Sequence, residues 1–391
     1  MEKKQHLKPL KTPVYRDSGF RLDDATVTAS AFRDEQEQER KPGYYIYSRY
    51  RNPTVVAVEE QLMNIEQSEW ALLMQSGMSA IDTALSIFQE AGSDKPWLFF
   101  SEIYGGTNTF VDEVLIKRRG IRAERLFPEN NRYDPSYFRR RMEETQASLV
   151  FLEVVTNPML MVTDVPAIID IAHEMGARVV VDNTFATPYL FKPLQAGADL
   201  VIHSATKYLS GHGDVTAGVI CGNLENLLKK AVEYRKYVGH MISPDDAYRL
   251  GTQLRTFPLR IQKHVENAER LAHFLDDHPA VEATIYPGLE HHPDHALANR
   301  LFGGRGYGGM ITFDLAGKNA GEKKNRRDRF IHALQNTVPL IPSLGDADST
   351  LLPVEPVWGD KYPMPGLIRL SVGTEPCEEL ERNIGRALDA L

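Results

Sequence analysis

Between about residues 54 and 245, short apolar runs alternate with segments of helical periodicity, and few folds accept that alternation. The runs fall at 70–74, 97–100, 149–155, 178–181 and 200–203. Each is too short for a buried helix and rich in branched or aromatic side chains, so each reads as a strand. Between them lie helical patterns, such as Ile81, Ala84, Leu85 and Phe88 after Ser76-Gly77. Asp164-Val165-Pro166 starts another, with Asp164 as N-cap and a proline in the first turn. Strands separated by helices predict an α/β fold with a doubly wound, mostly parallel sheet.

The flanking regions read differently. Residues 1–53 are polar and broken by Pro9, Pro13, Pro42 and Gly43, which predicts an N-terminal arm lying on a neighbouring subunit. Residues 54–245 form the large domain. Residues 246–391 predict a smaller α+β domain, with a long helical stretch at 245–278 carrying Pro258 and strands at 310–315 and 367–372. A length of 391 residues suits two or three such units.

Composition narrows the function. With 45 Lys+Arg against 53 Asp+Glu the net charge is -8, so no global basic field favours nucleic acid or an anionic membrane. No apolar window is long enough for a membrane span, and the first residues lack the apolar core of a secretory signal. Two distant cysteines, Cys221 and Cys377, form no paired framework. The expectation is a cytoplasmic protein.

Ligands of open α/β sheets bind at the C-terminal strand ends. Three such ends carry chemistry. After the first strand, Gln75-Ser76-Gly77-Met78-Ser79 opens a helix, where free N–H groups attract an anion. After 178–181 come Asp182-Asn183-Thr184, a carboxylate for a protonated ring nitrogen or simply an Asx turn. After 200–203 come Ser204-Ala205-Thr206-Lys207-Tyr208. A lysine leaving a buried strand is either a surface loop residue or a desolvated Schiff-base nucleophile. Anion site, acid and lysine together match what pyridoxal 5'-phosphate requires.

Further motifs run in order along nearly the whole chain: Tyr47-Ser48-Arg49, Asn52-Pro53-Thr54, Tyr104-Gly105-Gly106, Thr156-Asn157-Pro158, Gly211-His212, Ser343-Leu344-Gly345 and Ile368-Arg369-Leu370-Ser371-Val372-Gly373. With these the chain resembles the Cys/Met metabolism family of PLP-dependent, fold-type I (aspartate-aminotransferase-like) enzymes, which includes cystathionine γ-synthase, cystathionine γ-lyase, methionine γ-lyase and the O-acylhomoserine sulfhydrylases. The resemblance implies that Lys207 forms the Schiff base and shuttles protons, and that Asp182 pairs with the pyridinium nitrogen. Gly77, Met78, Ser204 and Thr206 would bind the phosphate. Tyr47 and Arg49 would reach the phosphate of a neighbouring subunit in a homotetramer built from catalytic dimers. Tyr104 would stack on the ring and assist proton transfer, and Asn157 would sit near the ring hydroxyl. Arg369, with Ser343, would hold the carboxylate of an amino-acid substrate.

The implied reaction is γ-elimination on a γ-substituted L-amino acid such as cystathionine, giving a 2-oxo acid and ammonia. γ-Replacement is the alternative, ahead of β-elimination, an aminotransferase or an idle scaffold. The distal pocket departs from the family pattern. The usual Thr-His after Ser-Leu-Gly is absent, Thr252-Gln253 replace Arg-Gly, and Gly106 stands where methionine γ-lyases carry cysteine. Asp348 falls near where cystathionine-cleaving members place an acid, and the resemblance implies that it would bind a distal ammonium or guanidinium of the substrate. His291-His292-Pro293-Asp294-His295 resembles a metal cluster and reads as structural. The run Lys323-Lys324-Asn325-Arg326-Arg327 reads as a solvated face, and the glycines from 303 to 309 as a lead into the strand at 310.

Overall fold

Apolar residues on both faces of a strand require cover on both faces. In the computed structural model, which describes residues 11–37, 42–90 and 92–391, the runs read from sequence are such strands. They are β1 (Trp70–Met74), β2 (Trp97–Phe100), β3 (Ala123–Leu126), β4 (Leu149–Glu153), β5 (Arg178–Asp182), β6 (Leu200–Ser204) and β7 (Gly218–Gly222). Their order is β1-β7-β6-β5-β4-β2-β3. The five strands β3, β2, β4, β5 and β6 run parallel, while β7 is antiparallel to both β1 and β6.

A second, four-stranded antiparallel sheet follows. It contains β8 (Val281–Ile285), β9 (Met310–Leu315), β10 (Thr350–Pro353) and β11 (Leu367–Ser371), in the order β10-β11-β9-β8. Its core includes Leu271, Phe313, Phe330, Leu370 and Ile384, separate from the cluster around β1–β7.

Local rules explain several joints. Asn52 caps the helix Pro53–Glu66, its side chain accepting from Thr54 N, with Pro53 at the first helical position. The stretch at 245–278 is not one helix: Pro244–Gln253 ends, a tight turn spans Leu254–Thr256, and Phe257–Asp276 restarts with Pro258 in its first turn. Asp164 makes no capping bond. It pairs instead with Arg300 at 2.5 Å.

The basic run is also not simply solvated. Arg327 is 3% exposed and reaches Glu355, while Lys323 bridges Glu282 and Asp314. The histidines have structural partners: His292 Nδ1 accepts from Asp294 N, and His295 stacks on Tyr307. Cys221 and Cys377 are buried and unpaired with each other. Among the described residues no helix is long and apolar enough to cross a membrane.

Candidate functional site

The C-terminal ends of β4, β5 and β6 open, with the start of the helix Gly77–Ser86, onto a cavity of about 220 Å³. Gly77, Met78, Tyr104, Asn157, Asp182, Ser204, Thr206, Lys207, Ser343 and Arg369 all line it. They are drawn from positions up to 292 residues apart, from Gly77 to Arg369. Three anticipated residues do not line it. Arg49 donates to Lys236 O at 2.7 Å and lies against the Tyr47 and Tyr50 rings. Tyr47 is exposed beside it, and Asp348 is exposed on the loop after Ser343.

The anion cup rests on close approach. A Cβ on Gly77 would sit 3.0 Å from the Cβ and Oγ of Ser204, so glycine lets the helix start lie against the end of β6. Ser76 caps that helix by accepting from Ser79 N. The amides of Gly77 and Met78, in its first turn, point into a region with the partial positive charge of a helix N-terminus. Thr206 is less free than its sequence position implies: its hydroxyl donates to Ala217 O at 3.1 Å and accepts from Ala217 N at 3.0 Å.

Asp182 accepts from both the amide and the hydroxyl of Thr184, at 2.9 and 2.6 Å, and both bonds fall on Oδ1. The Asx turn therefore forms, and it leaves Oδ2 for a ligand. Burial raises the Asp182 pKa against the pull of these bonds. A cation such as a protonated ring nitrogen would restore its charge.

Lys207 Nζ donates to Ser343 Oγ at 2.9 Å. Burial, then the nearby charge of Arg369, pushes its pKa down to about 8, which makes the free amine accessible near neutral pH. Arg369 is 5% exposed, and burial lowers its pKa to about 10. Its Nη1 donates to Asn157 Oδ1 and its Nη2 to Ser343 O, both at 3.1 Å. Its Nε is buried without a partner. A buried guanidinium with an unused donor fits a carboxylate.

Of two further cavity residues, Glu153 lies outside the motifs and Thr184 belongs to one without a role of its own. Glu153 ends β4 and accepts from Tyr104 N at 2.6 Å, which ties down the backbone where the chain enters the helix Gly105–Phe110. Burial, then the neighbouring Asp182, lifts its carboxyl well above the usual range. Thr184 bridges β5 and β6 by also accepting from Ser204 N at 2.9 Å. The available signals are a charged residue ending an apolar run and the spacing Asp-x-Thr after a strand.

The donor set fits pyridoxal 5'-phosphate: helix amides and Ser204 for the phosphate, Asp182 for the ring nitrogen, and Lys207 for the aldehyde carbon. The model for "Cys/Met metabolism PLP-dependent enzyme" matches residues 1–389. The chain is 35% identical over 400 residues to L-methionine gamma-lyase of Porphyromonas gingivalis, covering 98% of this chain and 93% of that protein. It is also 35% identical, over 357 residues, to cystathionine gamma-lyase of Bacillus subtilis, covering 88% and 89%. The structure of cystathionine gamma synthase from Xanthomonas oryzae pv. oryzae in complex with aminoacrylate and cysteine superimposes with a TM-score of 0.84 at 30% identity, covering 97% and 92%.

Proposed function

The chain belongs to the Cys/Met metabolism family of PLP-dependent enzymes, and from that premise we propose that it catalyses γ-elimination on a γ-substituted L-amino acid such as cystathionine or a related homoserine derivative. The observation that carries this reading is the convergence of Lys207 Nζ, Asp182 and Arg369 on one cavity. Together they offer a base for the Cα proton, an acid for the ring nitrogen and a cation for the α-carboxylate of a bound amino acid.

When bound, pyridoxal phosphate supplies the conjugated ring that stores the electron pair left at Cα. The residues do the rest. Arg369 holds the α-carboxylate through Nε and its remaining Nη hydrogens. Asn157 and Ser343 fix the guanidinium from the other side. Asp182 keeps the ring nitrogen protonated. Lys207, held by Ser343 at 2.9 Å, takes the Cα proton as a free amine. A second proton leaves Cβ and the Cγ substituent departs with its bonding pair, taking up a proton. Water then releases the remaining four-carbon unit as 2-oxobutanoate and ammonia.

Similarity to a cystathionine gamma synthase favours γ-replacement as the second reading. There a thiol adds at Cγ in place of the departed group, and the product leaves as an amino acid with no water consumed and no ammonia formed. Under the same proposal, residues 1–53, 54–245 and 246–391 are arm, cofactor domain and small domain of a cytoplasmic homotetramer. Tyr47 and Arg49 serve the neighbouring subunit's phosphate. The test is product analysis without thiol: 2-oxobutanoate and ammonia support elimination, whereas turnover only with added thiol supports replacement.

A further inference from the structure

The segment that departs from the family pattern after Ser343 has a place in the fold. β10 and β11 pair antiparallel, with Leu352 opposite Arg369. Two to five residues can close such a hairpin. Here the chain instead makes an excursion over residues 354–366. It carries Trp358, at the end of the short helix Val354–Trp358, back over Arg369. The guanidinium carbon lies 5.8 Å from the centre of the Trp358 ring, within the range where an aromatic face attracts a cation.

The excursion is held from two sides. Arg327 donates to Glu355 Oε2 at 2.9 Å and to Pro365 O at 2.8 Å. Lys361 Nζ pairs with Glu102 Oε1 at 3.0 Å and donates to Ser101 O at 3.1 Å. The Tyr362 hydroxyl bonds the other Glu102 oxygen and its ring meets Trp358 edge-on. Glu102 follows β2 and lies two residues before Tyr104, so the segment covering Arg369 is latched to the rim of the cavity.

The bonds from Arg369 to Asn157 and Ser343 involve its two Nη atoms and leave Nε unpartnered. Hydrogen bonds of this kind locate a guanidinium within its plane, and an aromatic ring against the guanidinium carbon limits its movement out of that plane. We propose that Trp358 is the positioning residue for Arg369. Its ring holds the guanidinium at the tilt where Nε meets a substrate carboxylate, and the Glu102–Lys361–Tyr362 latch holds the ring. The inference rests on the reading of Arg369 as the carboxylate anchor.

The test compares holoenzyme variants with L-methionine and L-cystathionine. Trp358→Ala is expected to raise KM about tenfold with kcat within about twofold, and Trp358→Phe to restore KM to within about threefold of wild type. Lys361→Ala, which changes only a half-exposed residue of the latch, should raise KM several-fold and decides the matter where Trp358→Ala does not fold. In the cofactor-free protein, acetate as a bare carboxylate probe should shift tryptophan emission in wild type but not in Trp358→Phe, because Trp70 and Trp97 are core residues at 2% and 4% exposure. Arg369→Ala is the control. If it raises KM while Trp358→Ala and Lys361→Ala do not, the positioning role is wrong and the anchor stands. If Arg369→Ala itself leaves KM unchanged, the anchor reading fails.

Discussion

Glu153 lies directly opposite Asp182 in the register between β4 and β5, so two buried carboxyl groups share the floor of one cavity. Two adjacent buried carboxylates would repel, and the field of each raises the cost of ionising the other. The arrangement is economical if Glu153 stays protonated and Asp182 carries the charge that answers a bound cation. Glu153 then serves as a neutral acceptor for Tyr104 N.

That reading predicts that Glu153→Gln keeps the fold, since an amide oxygen accepts the same bond. Glu153→Ala should cost about 1–3 kcal/mol by leaving the N–H unpaired. A carboxyl whose folded pKa is raised contributes stability below its unfolded pKa, near 4, that is lost as pH rises. Denaturant titrations at pH 4 and 7 should therefore show a smaller loss over this interval for Glu153→Gln than for wild type. Equal losses contradict a protonated Glu153.

Lys207, with its pKa lowered to about 8, predicts a second pH dependence. Modification of Lys207 in the cofactor-free protein by an amine-directed reagent should rise with a midpoint near pH 8 rather than above 10. Arg369→Ala removes the second cause of the shift and should move the midpoint upward. Because a lowered lysine pKa means the unfolded chain holds the extra proton, the penalty of burying Lys207 is relieved as pH rises from about 8 toward 10.5. Lys207→Ala should lose nearly all turnover while retaining a native melting curve.

Gly106 is one of the departures noted in the sequence, and its surroundings give it a physical reason. A Cβ there would fall 2.4 Å from Cε1 of Tyr104. Gly106→Ala should displace the Tyr104 ring, which is 51% exposed and has room to move. The expected result is a melting temperature close to wild type with kcat/KM reduced about tenfold or more. Unchanged kcat/KM would remove Tyr104 from the cofactor face.

Arg49 rests on Tyr47 and Tyr50 within its own chain, outside the cavity. If it serves a neighbouring subunit's phosphate, Arg49→Ala should weaken retention of pyridoxal phosphate on dialysis. Unaltered retention sinks the cross-subunit role.

Strands β1, β2, β4, β5 and β6 are legible because each is built on a run of apolar residues with polar ones only toward its ends, and the catalytic candidates sit where those runs end. β7 is hidden because Gly218–Gly222 is bounded by glycines at both ends, and β3 because Ala123–Leu126 buries only Leu126. Arg327 looked like part of a solvated run because its partner, Glu355, is 28 residues away. Long-range pairings of this kind leave no periodic trace. The roles of Glu153 and Thr184 leave no local trace for a related reason. Their significance lies in Tyr104, Asp182 and Ser204, which only folding brings to them.

The most direct test of the whole account incubates the holoenzyme with cystathionine, methionine, and O-acetyl- and O-succinylhomoserine, each with and without a thiol. Ammonia, 2-oxo acid and the departing group are then assayed together. Elimination gives equimolar 2-oxobutanoate, ammonia and leaving group from at least one γ-substituted amino acid in the absence of thiol. Turnover that requires the thiol and yields no ammonia would contradict elimination and establish replacement at Cγ.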